Sequence, residues 1–226
     1  MTALPPDARS SKARTDVVFY FDYISPYSFI ASQRWPAFAE LARARCQPVV
    51  FGSILSHYGT QGPGEIPAKR RHGLADVLLL ARFHRIPFKG PPRHPFNSIY
   101  ALRSTLAVDD LDRRSALMRR YFAAAWSEGR DLEDLEVLRA CLADVGIEQD
   151  PEAAASAPAT RRALKAETKH FIERGGFGVP TFEVGGHFFF GQDRMELAAA
   201  AARGELELDE AELASMLSRP QPPRLT

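Results

Sequence analysis

The stretch VFYFDYISPYSFIASQRW, residues 18–35, constrains the fold more than any other part of the chain. A short apolar run ending at a turn predicts a buried strand over Val17–Tyr23. Ser25 then stands where a helix N-cap belongs, and Pro26 takes the first helical position, where its missing N–H costs nothing. The spacing carries a helix onward toward Arg45, bent at Pro36. PVVFGSIL follows and predicts a second strand, Val49–Ile54. Strand, helix and strand in so short a stretch describe a right-handed βαβ unit with parallel strands.

Beyond His57 the pattern becomes helical. HYGTQGPGEIPAKRRH, residues 57–72, is a Gly/Pro-rich loop, and a loop of that length in a compact domain is often functional. Helices are expected over Pro67–Arg85, Phe96–Val108, Leu111–Ser127, Leu132–Asp144 and Ala159–Arg174, with PFKGPPRHP as a break between the first two. Asp131 is placed to cap the Leu132–Asp144 helix and Gly146 to end it. The chain then returns to strands. Thr181–Val184 and His187–Phe190 flank Gly185-Gly186, a strong hairpin signal, and a helix runs on to Arg203. A short helix, Asp209–Ser218, precedes a proline-rich tail.

The element order is βαβ, several helices, ββα. Joining the two ends gives an α/β thioredoxin-like core carrying an all-helical insertion domain. Residues 16–56 and 175–218 form the core on this reading, 57–174 form the insertion, and 1–15 and 219–226 are flexible tails.

At 226 residues, one core with a sizeable insertion is the natural expectation. A formal net charge of +1 gives no electrostatic case for nucleic acid or a membrane as partner. Cys46 and Cys141 show neither metal nor redox spacing, which fits a reducing compartment. The N-terminal MTALPPDARSSKART has no apolar run and reads as a tail rather than a secretory signal, so a cytoplasmic protein is expected. The histidines at 57, 72, 84, 94, 170 and 187 show no ligand spacing, and most read as surface or satisfied core residues; no metal is expected.

Two motifs, FYFDYISPYSF and FGVPTFEVGGHFFFGQDRMEL, resemble those of the glutathione-dependent 2-hydroxychromene-2-carboxylate isomerases. These are relatives of kappa-class glutathione transferases within the DsbA-like thioredoxin superfamily. GPGEIPAKRRHGLADV and HPFNSIYALR match more loosely, and the resemblance spans residues 16 to 203. It implies glutathione as cofactor, a small aromatic-derived carboxylate as substrate, and a homodimer. The implied reaction is a cis–trans isomerisation in aromatic degradation. A kappa-type transferase, or a non-catalytic glutathione-binding module, would use the same site.

The resemblance implies a catalytic role for Ser25, whose hydroxyl would donate to the glutathione sulfur where a redox protein carries cysteine. A helix N-terminus also favours an anion. A serine N-cap is the plainer reading of the same residue. Ser25-x-x-Ser28 offers no sulfur pair, which disfavours dithiol chemistry. The resemblance implies a cis proline at Pro180 after Val179, presenting backbone groups to an extended peptide. It gives Gln192 and Asp193 to the γ-glutamyl end, although Asp193 would also suit the helix dipole. Lys69 would neutralise a carboxylate or simply face solvent. Tyr27, Phe96 and Asn97 would line the substrate pocket, with Phe96 equally suited to the core. Many relatives carry Gly-Asn where this chain has Gly59-Thr60; Thr60 keeps a hydroxyl but loses the amide's reach.

Overall fold

The computed structural model describes residues 15–39 and 43–220. The expected tails lie, apart from Thr15, Arg219 and Pro220, outside the described residues. A four-stranded sheet has the order β2-β1-β3-β4. Strand β1 (Asp16–Phe21) runs parallel to β2 (Arg43–Pro48) and antiparallel to β3 (Thr181–Val184). β3 turns into β4 (His187–Phe190) through Gly185 and Gly186, whose φ angles of 58° and 90° suit a tight hairpin that side chains with a Cβ resist.

Helix α1 (Pro26–Ala39) follows β1, and α2 (Phe51–Tyr58) follows β2. The middle of the chain supplies α3 (Pro67–Phe83), α4 (Ile99–Leu106) and α5 (Leu111–Phe122), which widens into a π turn at Ala123–Ser127. Then come α6 (Leu135–Asp144), α7 (Pro151–Ser156) and α8 (Pro158–Glu173). α9 (Met195–Ala202) and α10 (Glu210–Leu217) close the described chain. Among the described residues no helix is long and apolar enough to cross a membrane.

β1 is buried on both faces, which explains its unbroken apolar sequence. Val17, Phe19 and Phe21 point into the main core with Trp35, Phe122 and Trp126, while Val18 and Tyr20 pack with Ile54, Phe171 and Val179 on the other side. Phe19 stacks on Phe182 at 5.0 Å, and Phe21 and Tyr23 reach Phe122 at 5.6 and 4.7 Å. The aromatic packing thus runs from the sheet into the helices between its halves. Burying such rings is the main stabilising term available to the fold.

Four expectations change. The second strand is Arg43–Pro48, not Val49–Ile54, and α1 stops before the predicted Arg45. β2 is an edge strand whose first residues are partly exposed, so RARC reads as a polar helix end by sequence. The segment expected as strand instead forms α2, because remote side chains cap it. Asp22 Oδ2 accepts from Phe51 N–H at 2.9 Å, and Thr168 Oγ1 accepts from Val50 N–H at 3.1 Å. The third change concerns α6, whose cap is Asp134, accepting from Glu136 N–H; Asp131 caps the preceding turn through Glu133 N–H. Gly146 lies just past α6 with φ 69°, as expected of a terminator. Helix α7 was not expected.

Candidate active site

Register places the site. Tyr20 at the end of β1 faces Thr181 at the start of β3, so the turn after β1 lies beside Pro180. That turn is pinned from several directions. Ser25 N–H donates to Asp22 O at 3.0 Å, Trp126 Nε1–H donates to Tyr23 O at 2.9 Å, and His94 Nε2 lies 2.9 Å from Ile24 O.

Ser25 is 7% exposed and caps α1: its Oγ accepts from Ser28 N–H at 3.1 Å. Capping consumes an acceptor site and leaves the hydroxyl proton to donate, which it does at long range. Its acceptor is Val179 O, at 3.5 Å, the long limit of a hydrogen bond. The two readings of Ser25 are therefore compatible, since the cap sets the direction of the O–H. The Val179–Pro180 bond is cis, as the resemblance implies, and His94–Pro95 is cis as well. Among the described residues the Val179 N–H has no hydrogen-bond partner.

Two cavities meet here, sharing Tyr27, Val179 and Phe190 as common walls. The larger, about 490 Å³, contains Ser25 and is otherwise mostly apolar, with Leu55, Leu74 and Phe177 among its walls. Lys69 and Arg70 bring positive charge to it, and Glu65 a negative one. The smaller, about 400 Å³, is lined by Pro180, Gln192, Asp193 and Asp76. Tyr27 O–H donates to Asp76 Oδ2 at 2.8 Å, and burial together with that carboxylate pushes the phenol's pKa up.

The smaller cavity offers acceptors. Gln192 is 8% exposed, yet its Oε1 is buried without a partner among the described residues. A buried acceptor left unpaired is uncommon and marks a place for a donor. Asp193 Oδ2 accepts from Arg194 at 2.7 Å. Gly191, with φ 110°, donates to Pro180 O at 2.9 Å, and a Cβ there would collide with the Asp193 carboxylate. These residues fit a small peptide: carboxylate and amide acceptors for an ammonium, and a free backbone N–H beside the cis proline for main-chain pairing.

Of the residues singled out by sequence, Ser25, Tyr27, Lys69, Val179, Pro180, Gln192 and Asp193 line one or both cavities. Thr60, Phe96 and Asn97 line neither. Thr60 is exposed, and its N–H closes α2 by donating to Leu55 O. Phe96 is buried in the core, 6.5 Å from Trp126, so its alternative reading is the one the packing matches. Asn97 is exposed and accepts from Ile99 N–H at the start of α4.

Two neighbours come nearer the site. Ser98 Oγ–H donates to Asp22 Oδ1 at 2.6 Å, and His94 lines the larger cavity. Asp22, fully enclosed beneath Ser25, also accepts from Ile24 N–H at 3.2 Å. Burial raises its pKa against the lowering effect of these donors, the Ser98 hydroxyl first among them. Asp22 stood inside the first motif, but nothing local distinguished it from an ordinary turn aspartate. Both cysteines are buried and free; burial pushes the Cys46 thiol up to about 12 and the Cys141 thiol up to about 11, so neither is a ready thiolate.

The DSBA-like thioredoxin domain model matches residues 16–203. A 2-hydroxychromene-2-carboxylate isomerase of Sphingobium xenophagum is 28% identical over 186 residues, covering 79% of this chain and 93% of its own. Glutathione S-transferase kappa 1 of Caenorhabditis elegans is 27% identical over 203 residues, covering 80% and 88%. Among solved structures, that of a 2-hydroxychromene-2-carboxylate isomerase aligns with a TM-score of 0.76 at 23% identity, covering 90% of this chain and all of the other. This last likeness is one of fold. The relatives similar in sequence are enzymes.

Proposed function

The chain belongs to the DSBA-like thioredoxin domain family, and from that premise we propose that it is a glutathione-dependent cis–trans isomerase of the 2-hydroxychromene-2-carboxylate isomerase type. The observation that carries the reading is the placement of Ser25. Its hydroxyl caps α1, donates weakly to Val179 O beside a cis proline, and opens into the larger cavity next to the Val179 wall that both cavities share.

Bound glutathione supplies a thiolate whose reversible addition to an unsaturated keto acid makes a double bond rotatable. The chain's part is to favour the anion and orient both partners. The start of α1 offers partial positive charge, and Ser25 redirects its hydroxyl hydrogen from Val179 O to the sulfur. Each unit by which the thiol pKa falls corresponds to about 1.4 kcal/mol of preference for the thiolate. Val179 N–H pairs with the tripeptide backbone, while Gln192 Oε1 and Asp193 receive its ammonium. Lys69 and Arg70 receive the carboxylate of the organic partner in the larger cavity, whose apolar walls hold its ring and exclude water.

The similarity to a kappa-class transferase favours a second reading, in which the same site releases a conjugate. Both are tested on the full chain. Calorimetry with glutathione should show binding at or below millimolar concentration. With an aryl-substituted unsaturated keto acid added, NMR should show the geometric isomers interconverting while total glutathione stays constant. Consumption of one glutathione per product would replace the isomerase by the transferase. Absence of glutathione binding would contradict both.

A further inference from the structure

We propose that the acidic, apolar helix α10 of one copy of this chain docks along the basic, apolar outer face of α3 of a second copy. The surface lies outside both cavities, and the pairing does not depend on glutathione.

The face on α3 follows from its spacing. Arg71, Ala75, Leu78 and Arg82 recur at three- and four-residue intervals, with Leu79 and Phe83 beside them, so all six share one side of the helix. All six are exposed, Phe83 by 82% and Leu79 by 62%. The opposite side carries the buried Val77 and Ala81 and lends Gly73, Leu74 and Leu80 to the cavities. α3 therefore hides one apolar set and presents another to solvent. Scattered exposed apolar residues are ordinary, whereas three large ones on a single face mark an interaction surface. Arg71 and Arg82 lie among them without a carboxylate partner among the described residues. Asp76, the one carboxylate of α3, is taken by Tyr27.

α10 is the counterpart. It has no buried residue, and Leu213, Met216 and Leu217 fall on one side of it. Leu217 is 71% exposed, and Leu206 and Leu208, on the approach to the helix, are exposed as well. The charges here have the opposite sign: Glu205, Glu207, Asp209, Glu210 and Glu212 crowd the segment. Glu205 pairs with Arg203, Asp209 caps the helix, and Glu210 lies 3.6 Å from His187. Glu207 and Glu212 have no cationic partner among the described residues.

So short a helix is marginal by itself in water, and one that buries nothing gains no packing from its own chain. A second copy offers each face its complement. Opposite charges steer the two together and set their register, while the leucines, Met216 and Phe83 supply the apolar contact. Two such contacts related by a two-fold axis close a dimer. The family match ends at residue 203, so α10 lies beyond the shared domain and the pairing belongs to this chain's own extension.

The test is sedimentation velocity on the full chain. The unaltered protein should form a dimer that weakens as salt is raised, because screening acts on the charge pairing. Leu79→Asp and Leu217→Asp, both at exposed positions, should each weaken association about thirtyfold or more, the loss of one central side chain. Mixing the two variants should recover part of it, since α10 of the Leu79→Asp chain still meets an intact α3 on the Leu217→Asp chain. Glu212→Lys leaves both apolar faces in place, and it should weaken the dimer and flatten its salt dependence. A monomer up to millimolar concentration overturns the proposal. So does a Leu217→Asp or Glu212→Lys chain that associates as the unaltered one does, or a mixture that recovers nothing while both variants keep the unaltered circular dichroism spectrum.

Discussion

The two cavities that meet at Tyr27 and Val179 are built in different ways. The smaller takes five of its nine wall residues from Pro180 and the run Phe190 to Asp193, on or beside one hairpin, and it presents acceptors. The larger is assembled from the start of α1, α2, the Gly62–Glu65 turn, α3, the His94-Pro95 step and Phe177–Val179. A wall made for the larger part by one short stretch, with Tyr27 of α1 and Asp76 and Leu80 of α3 closing it, depends more on local geometry, such as the Gly185-Gly186 turn and the positive φ of Gly191. A wall made by six depends on core packing between distant elements. The first should survive disturbance of the helical region, and the second should not.

The largest effect that can break this contrast is expected at Trp126. It is 1% exposed, donates to Tyr23 O, and touches Phe88 and His94. Trp126→Ala should cost about 3–5 kcal/mol in urea unfolding, and it should weaken probes of the larger cavity more than glutathione. Equal losses at both cavities would show that they are not independently built.

Asp22 sharpens the comparison next, because it ties the turn to α2 and to Ser98. Its folded pKa is raised above the ordinary 3.8. The folded chain therefore holds that proton to higher pH than the unfolded chain. The stabilisation this gives is fully present below pH 3.8 and is lost as pH rises through the folded value. The unfolding free energy of the protein relative to Asp22→Asn should fall as pH climbs from about 4, and a difference that rose instead would contradict the burial argument. The smallest effect is expected at Lys69, exposed at the rim of the larger cavity. Lys69→Met should weaken carboxylate probes by about 0.2–1 kcal/mol, more at low salt, and leave uncharged aromatic probes unchanged.

The same contrast describes what was legible in the sequence. The hairpin strands, the cis proline and the Gln192-Asp193 pair lie in one contiguous motif, and both strands fell at their expected bounds. α2 was misread as a strand because its cap comes from Asp22, 29 residues earlier, and no local pattern reveals a partner so distant. Phe96 and Asn97 lie in the right segment, but His94 lines the larger cavity and Ser98 holds Asp22 beneath Ser25, contacts that no local pattern reveals. Helix α7, by contrast, carries readable signals in Asp150 and Pro151, a cap and a first-turn proline.

The central claim is that Ser25 and the start of α1 hold another molecule's sulfur as an anion. The direct measurement is the thiol pKa of glutathione bound to the full chain, followed by thiolate absorbance across a pH titration and repeated with Ser25→Ala. The account predicts a pKa at least one unit below the free value of about 8.5 in the unaltered protein, and a partial return toward that value in the variant. A bound thiol that titrates as it does in buffer would contradict it.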